Sequence, residues 1–331
     1  MNYLSVIGAG TWGTALAALL AEKGYDITLW THEADLAEQI NMQRMNPTFL
    51  PGYQLPASLT ATSSLRDALS SARFVLSAVP TQHIRAVFAD SGSLLSPECI
   101  VISASKGIEI TTFKTPTVIL GELLSRPVAA LSGPSFAKEV TEKLPTAVTL
   151  ATSDLKVGYM LQEIFNTDFF RVYTHDDTVG VEIGGALKNV IAIASGICDG
   201  LSLGHNARAA LITRGLSEMK RLGTALGARE ITFSGLSGIG DLLLTCTASL
   251  SRNYTVGFRL GQGQTLAEIT SGTRSVAEGV STALAARKLS AQLGIDMPIA
   301  EQVYLTLYEN KTPADAVREL MTRSLRAEFD G

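Results

Sequence analysis

In the first half of the chain, short apolar runs alternate with segments whose apolar residues recur every three or four positions. The runs are residues 3–7, 26–30, 74–79, 100–103, 128–131 and 147–151. Runs of this length, rich in β-branched residues, read as strands buried on both faces, as in a parallel sheet. Between them, residues 11–23, 64–71 (with Ser64 as a candidate N-cap), 82–88, 117–124 and 155–166 carry the helical period. Strand–helix alternation predicts an α/β, doubly wound Rossmann-type sheet with helices on both faces.

After about residue 178 the β-branched runs stop. Residues 178–200 read as one long, mostly apolar helix, and 206–226, 275–293 and 299–309 read as helical too. Thr312-Pro313-Ala314-Asp315 opens a last helix, with Thr as N-cap, Pro in the first position and Asp three residues after the cap. The expected organisation is a Rossmann domain over residues 1–177 and an all-α domain over 178–331, with no internal repeat.

Composition narrows the class. At 331 residues and 46% hydrophobic, the chain can bury a core for about two domains without disulfide or metal staples. The charges are 27 basic and 31 acidic, a net of −4, which argues against a broad nucleic-acid surface. Three cysteines, Cys99, Cys198 and Cys246, show no metal spacing and suit a reducing compartment. The N-terminus has no basic stretch before its apolar run, so it does not read as a signal peptide. No uninterrupted apolar run approaches the ~18 residues of a membrane span. The expectation is a cytoplasmic protein. Its glycines gather at 8–13, 180–185 and 235–240.

The first cluster, Gly8-Ala9-Gly10-Thr11-Trp12-Gly13, is GxGxxG between a strand and a helix, the context that turns a weak motif into a dinucleotide fingerprint. Gly8 allows the tight turn, Gly10 the approach of a pyrophosphate, and Gly13 close strand–helix packing. The second strand runs into Thr31 and His32, where a protein specific for NAD would place a carboxylate. A 2′-phosphate would then not be repelled, so NADP is expected to be accepted alongside NAD. His32 either faces that phosphate or is an exposed bystander.

Other polar residues stand out by their company. Lys188 and Asn189 lie at the centre of a helix apolar almost all round, where an unpartnered lysine is rare. Gly184, one turn earlier, would leave room for a ligand beside the amine, and burial would tune Lys188 for acid–base work. A structural lysine–carboxylate pair is the alternative, and Asp241, after the third glycine cluster, could supply the carboxylate. Lys106 follows a strand end, where open α/β sheets bind ligands, or is a solvated loop lysine. Ser132-Gly133-Pro134-Ser135 offers backbone N–H groups and a hydroxyl, or is a plain turn. Ser251 reads as the cap of a helix through Phe258; that N-terminus with Arg252 and Asn253 would make a phosphate site, or is an ordinary helix cap followed by a surface arginine. The four histidines, His32, His83, His175 and His205, show no metal or catalytic spacing.

Taken in order, GAGTWGTALA, the SKG after a strand, SGPSFA, GGALKNVIAIASG, GLSGIGDLLLT and SRNYTVG resemble the NAD(P)-dependent glycerol-3-phosphate dehydrogenase family over nearly the whole chain. The resemblance implies reversible reduction of dihydroxyacetone phosphate to sn-glycerol 3-phosphate, with NADPH or NADH. It implies Lys188 as the proton-transferring residue. Lys106, Gly133, Ser135, Lys188, Asp241, Ser251, Arg252 and Asn253 match substrate-binding positions. Gly8, Gly10, Thr11, Trp12, Gly13, His32, Lys106, Ala137, Arg252, Val276 and Glu278 match cofactor-binding positions. A cytoplasmic homodimer supplying glycerol phosphate for phospholipid synthesis is the expected setting, with no metal, no nucleic acid and no membrane span. Two rival readings remain at this level: a hydroxyacid dehydrogenase whose substrate carries a carboxylate, and a redox sensor that binds NAD(P) without turnover.

Overall fold

The computed structural model describes residues 3–271, 277–325 and 327–328. Eight strands form one sheet: β1 (Tyr3–Ile7), β2 (Asp26–Trp30), β3 (Leu59–Thr62), β4 (Phe74–Ser77), β5 (Ile100–Ser103), β6 (Val128–Ser132), β7 (Thr146–Ala151) and β8 (Phe170–His175), in the order β3-β2-β1-β4-β5-β6-β7-β8. The first six are mutually parallel, as the apolar runs predict for all of them but β3, which no such run marks. The chain then departs from an all-parallel sheet: β7 pairs antiparallel to β6, and β8 follows it in parallel.

Around the sheet lie α1 (Thr11–Glu22), α2 (Ala34–Gln43), α3 (Leu65–Ser70), α4 (Ile84–Phe88), α5 (Pro116–Leu124), α6 (Ala137–Thr141) and α7 (Leu155–Phe165). Ser64 caps α3 by accepting from Asp67 N–H. Two apolar cores cover the sheet: Leu16, Leu20, Ile27, Leu29 and Phe170 fill one, and Val75, Phe88, Val101 and Leu120 the other. Strand order reverses between β1 and β4, and the loop after β1 meets the loop after β4 there. A Cβ on Gly8 would come within 2.9 Å of the Ala78 carbonyl. Such a switch point is where open α/β sheets bind ligands.

The remaining helices are α8 (Thr178–Gly200), α9 (Gly204–Ala225), α10 (Asp241–Thr247), α11 (Arg252–Gly261), α12 (Leu266–Thr270), α13 (Glu278–Leu293), α14 (Pro298–Tyr308) and α15 (Pro313–Met321). By length and composition α8 would pass for a membrane span, but it is the central helix of this group, buried along its apolar length. It packs on α11 almost backbone to backbone. A Cβ on Gly196 would lie 2.0 Å from the Tyr254 carbonyl oxygen, and one on Gly257 would lie 1.9 Å from that of Ile193. Only glycine allows such an approach. Glu182 of α8 reaches back toward the sheet, where Thr115 Oγ1 and Thr117 N–H, at the start of α5, donate to its carboxylate.

Candidate active site

The site forms where α8 passes the carboxyl ends of β5 and β6. Lys106, three residues beyond β5, sends its Nζ to the Gly133 carbonyl (2.9 Å) and to Asp241 Oδ2 (2.7 Å). Lys188, in the middle of α8, donates to the other oxygen, Asp241 Oδ1, at 2.5 Å, and to Thr245 Oγ1 at 2.9 Å. One buried carboxylate thus holds two ammoniums. Asp241 is 1% exposed and Lys188 6%. Thr245, one turn after Asp241 on α10, completes the cradle.

The electrostatics follow from this geometry. Burial pushes the Lys188 amine down to about 8; Asp241 pulls it up and the Lys106 charge pushes it down again. Burial alone would raise the Asp241 carboxyl, but the two ammoniums hold it below the ordinary carboxylate range. An amine near 8 can give and take a proton close to neutral pH.

Two glycines of α8 have roles that sequence spacing alone confuses. The space beside Gly184 is not open to a ligand: a Cβ there would meet the Ser237 carbonyl oxygen at 2.5 Å, so the gap is filled by the turn leading into α10. That contact brings Asp241 to Lys188. Gly185 makes way for Ser132 at the end of β6, whose Oγ would lie 2.7 Å from an added Cβ, with the Lys106 stem in ordinary contact beside it at 3.4 Å.

Polar residues tie this centre to α11. Asn189 Oδ1 accepts from Asn253 Nδ2 (2.8 Å), and Asn253 Oδ1 accepts from Gly279 N–H (2.9 Å) at the start of α13. Ser251 caps α11 through Tyr254 N–H, as expected, and the helix runs on to Gly261. Exposed Arg252 is its first residue, so a guanidinium and a helix N-terminus lie together. Asn253 is more committed than a free phosphate donor would be, because its carbonyl and one N–H join α8, α11 and α13. Gly133 takes a positive φ of 133° and packs on Val148 Cα, and Ser135 Oγ donates to the Gly133 carbonyl at 2.9 Å.

The dinucleotide side is equally specific. Gly8 has φ 113°, and a Cβ on Gly13 would lie 1.9 Å from the Gly8 carbonyl oxygen. Among the described residues nothing lies within 4 Å of a Cβ built on Gly10, the open position a pyrophosphate needs, and no side chain caps α1 there. Thr11 and Trp12 form the first turn, and the buried indole N–H of Trp12 has no hydrogen-bond partner among the described residues. These features fit a dinucleotide phosphate on the end of α1. His32 is exposed beyond β2, its ring 6.3 Å from that of Trp30. Ala137 opens α6 just past the Gly133–Ser135 turn. Glu278 accepts from Thr81 N–H (2.8 Å) and Thr81 Oγ1 (3.2 Å), linking α13 to the loop after β4; burial raises its carboxyl to about 7. Val276 lies outside the described residues. Thr245 and Thr81 escape a sequence reading. The only available signal for Thr245 is its place four residues after Asp241. Among the described residues no group of His, Cys, Asp and Glu could hold a metal ion.

Comparison with known proteins agrees with this arrangement. A family model described as the NAD-dependent glycerol-3-phosphate dehydrogenase N-terminus matches residues 3–158, and its C-terminus counterpart matches 177–318. The chain is 54% identical over 329 residues to the NAD(P)+ glycerol-3-phosphate dehydrogenase of Geobacter metallireducens, covering 98% of each chain. A crystal structure of glycerol-3-phosphate dehydrogenase from Coxiella burnetii superposes with a TM-score of 0.94 at 39% identity, covering 97% of this chain and 99% of that one. A D-mandelate dehydrogenase, 12% identical with a TM-score of 0.64, shares the fold.

Proposed function

Because the chain belongs to the NAD-dependent glycerol-3-phosphate dehydrogenase family, we propose that the Lys188–Asp241–Lys106 cluster is the catalytic centre for interconverting dihydroxyacetone phosphate and sn-glycerol 3-phosphate. The observation that supports this is the buried Lys188 amine, tuned to about 8 and held on a carboxylate it shares with a second lysine. A redox sensor without turnover has no use for such a proton donor.

A nicotinamide dinucleotide, when bound, supplies or accepts the hydride. Reduction of a ketone builds negative charge on its oxygen. Lys188 in its ammonium form stabilises that charge and gives up a proton to it; in the oxidising direction the neutral amine takes the hydroxyl proton. Lys106 adds a fixed positive field from the sheet side. Asp241 and Thr245 hold the Lys188 Nζ in place, so Asp241 acts as a positioning residue. Arg252 and the first turn of α11 hold the phosphate away from the reacting carbon, with Ser251 and Asn253 shaping that turn. Gly133 and Ser135 border the substrate from the sheet. Gly8, Gly10, Thr11, Trp12 and Gly13 hold the dinucleotide, with His32, Ala137 and Glu278 along its length. In this reading residues 1–177 bind the cofactor and 178–331 supply the proton donor. The three buried free thiols suit a reducing, cytoplasmic setting, where a homodimer would supply glycerol phosphate for phospholipid synthesis.

Turnover of dihydroxyacetone phosphate against a panel of 3-keto acids tests the substrate. Lys188→Ala tests the centre: kcat is expected to fall by at least ~100-fold, the scale of general acid catalysis, while the dinucleotide still binds. Near-normal turnover would reject the role.

A further inference from the structure

We infer that Glu33 reads the 2′ position of the adenosine ribose and makes this enzyme favour NADH over NADPH. The inference rests on the dinucleotide reading of the Gly8–Gly13 loop. Thr31 and His32 carry no carboxylate, but the chain supplies one at the next position, 20 residues after Gly13. The backbone sets it beside the glycine loop. Gly8 N–H donates to the Trp30 carbonyl (3.0 Å), which joins the first glycine to the end of β2. Thr31, 3% exposed, is pinned to the neighbouring strand through its N–H on the Thr62 carbonyl at 3.0 Å.

Glu33 occupies the N-cap position of α2, with φ −87° and ψ 119°, yet its side chain does not cap the helix. It turns back, and Thr31 Oγ1 donates to Glu33 Oε2 at 2.9 Å. A carboxylate spent on the helix would be neutralised by the free N–H groups; this one is held at the strand end with its second oxygen unspent on that contact. Carboxylates at this end of a Rossmann β2 accept hydrogen bonds from ribose hydroxyls and oppose a 2′-phosphate. Arg44, at the opposite end of α2, donates to the carbonyls of Pro56 and Leu59 and is committed there.

The effect is a preference, because Glu33 is exposed and water screens it. A phosphate monoester carries about −2. At ~6 Å in water its repulsion by one carboxylate is about 1.4 kcal/mol, a factor of ten. NADPH therefore remains usable.

The test is calorimetric titration of the enzyme with ADP-ribose and with its 2′-phosphate, beside kcat/KM for NADH and NADPH. The wild type is expected to bind ADP-ribose roughly tenfold tighter than the phosphorylated form. Glu33→Gln should bring the two affinities close together, and Glu33→Arg should invert them, with the kcat/KM ratio following. Equal wild-type affinities, or a ratio unmoved by both substitutions, would overturn the role of Glu33 alone. Failure of both nucleotides to bind would overturn the dinucleotide reading and this inference with it.

Discussion

Replacing Asp241 by Asn separates a positioning role from a merely structural one. The side chain keeps its shape but loses its charge, and one of its two positions turns from acceptor to N–H donor facing an ammonium. Lys106 and Lys188 then confront each other across a neutral amide in a site where Asp241 is 1% exposed. Opposite charges ~4 Å apart at an effective dielectric of about 20 attract by about 4 kcal/mol. One pKa unit corresponds to about 1.4 kcal/mol, so a third of that attraction acting on Lys188 is worth about one unit. The Lys188 amine, near 8 with the carboxylate present, should fall to about 7 or below. Reduction needs the ammonium, so its kcat/KM should decline with rising pH about one unit earlier than in the wild type. Oxidation needs the amine, so its rising limb should move to lower pH by the same amount. Rate–pH profiles in both directions, taken with thermal melts, provide the assay. A lowered Tm with both limbs unmoved would refute the argument, because a structural carboxylate would give that pattern.

Arg252→Ala should raise KM for dihydroxyacetone phosphate by about 10- to 100-fold, the worth of a charge-assisted hydrogen-bonded contact; an unchanged KM removes Arg252 from the phosphate site. Glu218, on α9, accepts from the N–H groups of Ile299 and Ala300 at the start of α14, and burial raises its carboxyl from 4.5 to about 7. The folded value lies above the unfolded one, so its stabilisation is complete below pH ~4.5 and is lost as pH rises through about 7, a change of about 3 kcal/mol. Urea denaturation at pH 5 and pH 8 should show Glu218→Gln losing less stability across that interval than the wild type, and equal losses would contradict the assignment. Gly257→Ala puts a methyl 1.9 Å from the Ile193 carbonyl oxygen and should cost about 1–3 kcal/mol by overpacking, seen as a lower Tm with a raised substrate KM; an unaltered melt would show that the helices can part freely.

Much of this architecture is legible as pattern. The buried runs mark six of the strands because both faces of each are covered, and the apolar α8 announces itself as a core helix. The short, polar-flanked β3 escapes because Leu59-Thr60-Ala61-Thr62 alternates over too few residues to separate from a loop. The strand β8 reads as a boundary, since Arg171 and Tyr173 face solvent. The antiparallel turn of β7 is invisible because an apolar run has no direction. In the site, the oddity of Lys188 is plain from its neighbours, and Asp241 can be guessed as its partner. The second grip, Lys106 on the same carboxylate, spans 135 positions and comes only from the fold. Gly184 signals a need for space, but spacing cannot tell whether a ligand or the protein's own backbone fills it. At β2, expecting a carboxylate on the strand end itself misses Glu33, because its side chain doubles back from the helix.

The glycine-lined crossing of α8 and α11 works as a caliper. One jaw carries the Lys188 amine and the other the Arg252 end of α11, and the gap between them is set where two backbones touch. Side chains can change rotamer, whereas this contact has no slack to give. On the proposed reading, a phosphorylated ketone one carbon longer is expected to seat its phosphate or its carbonyl, but not both together. On that reading, length selection would be set by glycine spacing some distance from any atom that reacts.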